Sequence, residues 1–135
     1  MIRDEIKIRV RYSETDRMGY VYYGNYGAYF EVARVEMLRE LGITYKNMED
    51  GGIMLPVVDF HIKYMKPAYY DDELTIVTKI TKMPLTKLEF EYETYNQDGV
   101  LLNKAETVLV FVDINSGKPC RSPKSVQEKA MQYFE

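Results

Sequence analysis

Apolar and charged residues alternate near the start of the chain. Ile6, Ile8, Val10 and Tyr12 fall on one face and Lys7, Arg9 and Arg11 on the other, the period-2 pattern of a half-buried strand. The spacing then lengthens. Phe30, Ala33, Met37, Leu38 and Leu41 recur at helical intervals, predicting a long helix with Asn25 as its N-cap and Gly42 as its stop. Thr44 to Asp50 reads as one further helical turn, broken by Gly51-Gly52. Alternation returns in Val58, Phe60, Ile62 and Tyr64 against Asp59, His61 and Lys63, a strand ending at Lys66-Pro67. Tyr69-Tyr70-Asp71-Asp72 reads as a turn. Leu74, Ile76, Thr78 and Ile80 mark the next strand, and Leu88, Phe90, Tyr92 and Thr94 alternate with Glu89, Glu91 and Glu93, giving a long hairpin with an acidic outer face. Asn96 to Gly99 supplies a turn into a last strand from Leu101 to Ile114, closed by Asn115-Ser116-Gly117. Ser122-Pro123 reads as an N-cap followed by proline at the first helical position. The short C-terminal helix it opens turns Val126, Ala130 and Phe134 inward.

The predicted order is strand, long helix, four strands in meander and short helix. One apolar helix facing one antiparallel sheet makes a two-layer α+β domain. At 135 residues the chain has the size of one domain, 1–135, with a single core. Such a sheet has free edges, and the β-forming run from Val57 to Tyr64 predicts pairing with a second copy, at least a homodimer.

Composition narrows the chemistry. Charged residues make up 29% and apolar residues 46%, the balance of an ordinary globular protein. The net charge of −3 has the wrong sign for a general nucleic-acid binder, so no nucleic-acid partner is expected. The apolar runs are short and the first five residues carry no secretory core, so neither membrane insertion nor export is expected, and the default location is cytoplasmic. Cys120 is the only cysteine and His61 the only histidine. Within one chain these allow no disulfide and no cluster of sulfur and imidazole ligands, so no metal site is expected. They also restrict any Ser-His-Asp or Cys-His mechanism to His61, which sits mid-strand and reads as a structural or pocket-lining residue. Five of the 13 tyrosines fall between Tyr20 and Tyr29. Such density suits a lined cleft or a subunit contact, because each ring carries a polar tip.

The segment Arg11 to Tyr26 joins the first strand to the long helix through Asp16, Gly19 and an aromatic-rich loop. A helix start offers backbone N–H groups that lack intrahelical partners, and these can stabilise negative charge developing on a carbonyl oxygen. A carboxylate beside them can act as nucleophile or base. An aspartate at such a junction also serves as an ordinary turn or capping residue, and the local pattern leaves both roles open.

Four segments together resemble the hotdog-fold acyl-CoA thioesterases, the 4-hydroxybenzoyl-CoA thioesterase-like superfamily that includes the Tol–Pal-associated enzymes. They are Arg11-Tyr12-Ser13-Glu14-Thr15-Asp16, Met18 to Tyr26, Tyr29-Phe30-Glu31-Val32-Ala33-Arg34 and Tyr64 to Asp72. The resemblance implies a hotdog fold with the long central helix wrapped by the sheet. It implies a homodimer joined edge to edge, with active sites at the interface and further assembly to a homotetramer common. The implied activity is hydrolysis of an acyl-CoA or acyl-carrier-protein thioester to free acid and thiol, with coenzyme A as part of the substrate and no cofactor. Asp16 falls at the position of the catalytic carboxylate, which attacks the thioester or activates water, and Tyr23 and Gly24 fall where backbone N–H groups form the oxyanion hole. The acyl-CoA branch commonly has histidine where this chain has Tyr23, whereas the hydroxybenzoyl branch has tyrosine. A backbone role survives that change, and a side-chain acid or base role does not.

Substrate-binding candidates are Lys63 and Tyr64 on the second strand, Lys82, Thr86 and Lys87 around the hairpin turn, the pocket-lining His61, and Glu31, which is placed to approach the pocket or to pair with Arg34. Two other readings of the same fold compete. A dehydratase would need a histidine with an acidic partner, and His61 lies outside the helix-start segment. A non-catalytic acyl-CoA-binding module would use the pocket without Asp16.

Overall fold

The computed structural model describes residues 1–134. It holds a five-stranded antiparallel sheet in the order β1-β4-β5-β6-β3, built from β1 (Ile2–Arg9), β3 (Val57–Tyr64), β4 (Glu73–Ile80), β5 (Lys87–Tyr95) and β6 (Leu101–Val110). A second sheet pairs β2 (Ile53–Met54) with β7 (Val112–Asp113). Helix α1 (Tyr26–Glu40) lies on one face of the large sheet, followed by α2 (Tyr45–Asp50), and α3 (Lys124–Met131) comes last. The α+β arrangement of one long helix against an antiparallel sheet agrees with the alternation and helical spacing of the sequence.

Alternation decides which side chains meet α1. Leu88, Phe90, Tyr92 and Thr94 are buried, while Glu91 between them is exposed. From the helix, Tyr26, Tyr29, Phe30, Ala33, Met37 and Leu38 are buried against that face. Phe30 stacks on Tyr92 with ring centroids 4.5 Å apart, at the centre of the core. Offset contacts of this kind add about 0.5–1.5 kcal/mol beyond the area buried. Gly42 ends the helix with φ of +79°, as its place after Leu41 predicts, and Thr44 caps α2 by accepting a hydrogen bond from the Asn47 N–H at 3.1 Å.

Several boundaries differ from expectation, each for a local reason. The first strand stops at Arg9, because Tyr12 belongs to a 3₁₀ turn, Tyr12–Glu14, and stands 77% exposed. Asn25 does not cap α1: its side chain donates to the Glu14 carbonyl at 2.7 Å, and the helix grows instead from a 3₁₀ turn, Tyr23–Asn25. The last strand breaks at Phe111, so that β7 can leave β6 and pair with β2. Helix α3 starts at Lys124 with Pro123 as its N-cap, since the Ser122 hydroxyl donates to the Pro84 carbonyl.

The largest difference is topological. The four strands after α1 do not form a meander, since only β4, β5 and β6 do. All eight residues of β1 pair with β4, from Ile2 with Ile80 to Arg9 with Glu73, and β5 takes the other side of β4. No edge of β4 is left for β3, which pairs with β6. Strand β3 therefore forms one edge of the sheet. Val58, Phe60 and Tyr64, expected to be half-buried, are 57%, 44% and 47% exposed.

The crossover from β3 to β4 positions the functional loop. Its end is fastened to the end of β1, where the Val10 N–H donates to the Asp72 carbonyl at 2.9 Å and the Asp71 N–H to the Val10 carbonyl at 3.0 Å. Asp71 holds φ at +67°, a conformation aspartate tolerates in turns. The Val21 N–H donates to the Ala68 carbonyl at 2.8 Å. The loop between β1 and α1 is thereby held against residues 65–69, beside the sheet edge.

Candidate active site

The loop is shaped by two carboxylates. Asp16 closes a tight turn: its N–H donates to the Tyr20 carbonyl at 2.7 Å, its carbonyl accepts the Gly19 N–H at 3.0 Å, and Gly19 supplies the positive φ of +79°. One carboxylate oxygen, Oδ1, accepts the N–H groups of Met18 at 2.9 Å and Tyr20 at 3.2 Å. Among the described residues Oδ2 has no partner. Asp16 is thus a turn residue, as its position suggests, with its second oxygen available.

Glu14 anchors the loop to the helix. Its carboxylate accepts the Arg11 N–H at 2.8 Å and the Tyr29 hydroxyl at 2.9 Å, and pairs with the Arg11 guanidinium at 3.2 Å. Its carbonyl accepts the Tyr22 N–H and the Asn25 side chain. Burial pushes the Glu14 carboxyl up, but the Arg11 N–H, the Tyr29 hydroxyl and the Arg11 guanidinium outweigh it and hold the group below the usual glutamate range. Tyr29 is pushed well up in turn by burial and by the carboxylate it faces. The sequence shows only Arg11 three residues before Glu14. The contact with Tyr29, 15 residues away, needs the fold.

A pH dependence follows. A carboxyl whose pKa is depressed by folding stabilises the native state above its unfolded pKa, and the stability is lost as pH falls through the lower folded value. Glu14→Gln should cost about 1–2 kcal/mol near neutrality, because charge-assisted hydrogen bonds become neutral ones. Thermal unfolding of both proteins from pH 7 to below the glutamate range should show the gap closing as the wild type is acidified.

The loop and the crossover enclose a cleft of about 320 Å³, lined by Asp16, Tyr20, Val21, Tyr23, Tyr26 and Tyr64 and by residues 65–67. The Tyr26 and Tyr64 rings meet edge to face at 5.7 Å. Burial, with the Tyr64 phenol beside it, pushes Tyr26 up to about 12, so it enters the cleft as a neutral phenol. Tyr23 and Gly24 open the 3₁₀ turn before α1. Among the described residues no acceptor meets their N–H groups. Glycine at 24 suits a close approach, since a Cβ there would stand 2.7 Å from the Tyr22 ring.

Of the residues singled out from the sequence, Asp16, Tyr23 and Tyr64 line this cleft and Gly24 adjoins it. The others lie elsewhere within one chain. His61 and Lys63 point to the outer face of the sheet, where a groove of about 380 Å³ also contains Lys79, Lys104 and Glu106. Lys82, Thr86 and Lys87 are exposed, and Lys82 pairs with Glu89 at 3.7 Å. Lys87 pairs with Val110, whereas Tyr64 pairs with Asn103 seven residues along the same strand, a separation of roughly 23 Å. Glu31 is exposed and does not pair with Arg34, whose buried guanidinium donates to the Tyr45 hydroxyl at 3.1 Å. Helical spacing brings Glu31 and Arg34 near one another, but α2 offers the buried arginine a closer acceptor. Among the described residues no group of three or more His, Cys, Asp and Glu side chains could hold a metal ion, and no helix is long and apolar enough to cross a membrane.

Residues 10–130 match the thioesterase-like superfamily. YneP of Bacillus subtilis is 40% identical over 127 residues, covering 94% of this chain and 92% of its own. YbgC of Escherichia coli, an acyl-CoA thioester hydrolase, is 39% identical over 119 residues, covering 88% and 89%. The solved DHNA-CoA thioesterase of Staphylococcus aureus superposes with a TM-score of 0.86 at 34% identity, covering 99% of this chain and 85% of that one. With the match spanning nearly the whole chain, and with the fold of the solved thioesterase, the protein belongs to the thioesterase-like superfamily and is a thioester-cleaving enzyme of hotdog fold.

Proposed function

We propose that the protein hydrolyses acyl-CoA thioesters, with Asp16 as the reacting carboxylate and the N–H groups of Tyr23 and Gly24 as the oxyanion site. The observation that carries this reading is the placement of Asp16. One oxygen is fixed by two backbone N–H groups, the other has no partner among the described residues, and the cleft beside it is walled by tyrosines. A fixed carboxylate loses little freedom on reaching the transition state, and unpartnered backbone donors need no reorganisation to meet developing charge. A thiolate is a good leaving group, so a carboxylate can suffice, either by direct attack on the carbonyl or by taking a proton from the attacking water.

Tyr23 contributes through its main-chain N–H, which meets no acceptor among the described residues. Lys82, Thr86 and Lys87 lie about seven residues along the sheet from the cleft-lining Tyr64 and outside the cleft itself. A dimer joined along β3 would bring a second copy beside the cleft, because Tyr64 belongs to both. The exposed apolar residues of β3 and its unpaired edge support that assembly.

The test is thiol release from short-chain, long-chain and aroyl-CoA thioesters and from an acyl-carrier protein. Turnover of at least one coenzyme A thioester supports the proposal. Hydrolysis confined to the carrier protein would move the substrate class, and binding without turnover of any member would favour a non-catalytic acyl-CoA-binding module.

A further inference from the structure

Behind the cleft lies a pair of polar side chains that the fold leaves without hydrogen-bond partners. Asn103 on β6 and Thr94 on β5 are each 0% exposed and face one another across the two strands, on the side of the sheet that meets α1. Among the described residues, neither the carboxamide nitrogen nor the oxygen of Asn103 has a partner, nor has Thr94 Oγ1. Elsewhere on this face a buried polar group is satisfied: the Tyr92 hydroxyl meets Thr107 Oγ1 at 2.7 Å. Burying an amide or hydroxyl with no partner is costly, and such groups in native proteins call for a specific cause.

Their position supplies one. The rings that wall the cleft also cover Asn103. Tyr64 is its direct cross-strand neighbour, and the Asn103 carboxamide lies close enough to the Tyr26 hydroxyl to draw its pKa down against the larger upward push of burial. Tyr64 is 47% exposed on the edge strand. Asn103 thus stands one strand in from the cleft-lining Tyr64, and Thr94 one strand further.

We infer that Asn103 and Thr94 form a polar subsite at the inner end of the acyl pocket, recognising a hydroxyl or keto oxygen carried by the acyl group. The inference rests on the thioesterase reading of the cleft. Asn103 can donate through its nitrogen and accept through its oxygen, and Thr94 can do either, so the pair suits a hydroxyl better than a methylene. A site whose buried polar groups stay unpaired with the wrong ligand discriminates strongly against it.

The experiment compares 3-hydroxybutanoyl-CoA with butanoyl-CoA and 4-hydroxybenzoyl-CoA with benzoyl-CoA, in the wild type, Asn103→Leu and Thr94→Val. The wild type should favour the oxygenated member of at least one pair by about tenfold or more in kcat/KM, and both substitutions should bring that ratio towards one. Calorimetric binding of the matching ketone analogues, in which a methylene replaces the thioester sulfur, gives the same ratio without turnover. A failure of the thioesterase reading therefore shows as a binding preference without hydrolysis, and leaves the subsite standing. No preference by either readout in the wild type, or a preference that survives Asn103→Leu, overturns the subsite. So does a large fall in melting temperature for both variants with the ratio unchanged, since Asn103 and Thr94 would then be structural groups satisfied in the folded protein.

Discussion

Lysine in place of Val58 should leave the protein monomeric in sedimentation velocity and remove most of its thioesterase activity, with little change in the stability of the single chain. Val58 lies on the free edge of the sheet and is 57% exposed, so the substitution takes little from the core. Phe60, Tyr64 and Met65 extend the same apolar edge, at 44%, 47% and 43% exposure. Covering a large apolar side chain contributes about 1.5–3 kcal/mol, and several in register can hold two edges together. An unpaired lysine buried at that contact would cost several kcal/mol, and about 4 kcal/mol is a thousandfold in the dimer dissociation constant. Activity should fall with assembly because the cleft opens beside this edge, with Tyr64 belonging to both. A dimer of wild-type affinity would remove β3 from the interface, and a fully active monomer would show that one chain completes the site.

The second large effect is chemical. Asp16→Asn should lower kcat by about 10³ with KM changed little, the signature of an interaction made only in the transition state. The turn should survive, because the carboxamide oxygen of asparagine can accept the Met18 and Tyr20 N–H groups in place of Oδ1. The free Oδ2 becomes an NH₂ group, which can neither attack a carbonyl nor take a proton from water. A thousandfold loss is about 4 kcal/mol of barrier. Unfolding free energy should stay within about 0.5 kcal/mol of the wild type, separating lost chemistry from lost structure.

The sequence shows more of the elements than of their neighbours. Helix α1, the short helix α2 and the β4–β5–β6 run follow from spacing and turn residues, because those signals are local. The place of β3 does not. Its alternation is that of any half-buried strand, and its exposure comes from β1 occupying the edge of β4, a choice made between residues some 70 positions apart. The same distinction holds at the site. The aspartate, the helix start and the tyrosines stand in one continuous segment, so a carboxylate beside free N–H groups is legible there, while the choice of Asp16, Tyr23 and Gly24 as a group comes from the family resemblance. Residues 65–67, which complete the cleft, arrive by the β3–β4 crossover. Asn103 carries no local signal, since only the fold shows that its carboxamide is buried without a partner among the described residues. The lysines of the β4–β5 turn are basic groups in an acidic chain, but turn charge says nothing of distance from Asp16, and Lys87 lies seven residues along the sheet from the register of Tyr64.

The central claim is that one carboxylate carries the hydrolysis. It is tested most directly by incubating wild type and Asp16→Asn with the best acyl-CoA substrate and following free thiol and enzyme-bound thioester in the same samples. The expected result is rapid thiol release by the wild type, with intact thioester held by Asp16→Asn at near wild-type affinity. Thiol release by Asp16→Asn at the wild-type rate would contradict the claim and move the chemistry to another residue of the cleft.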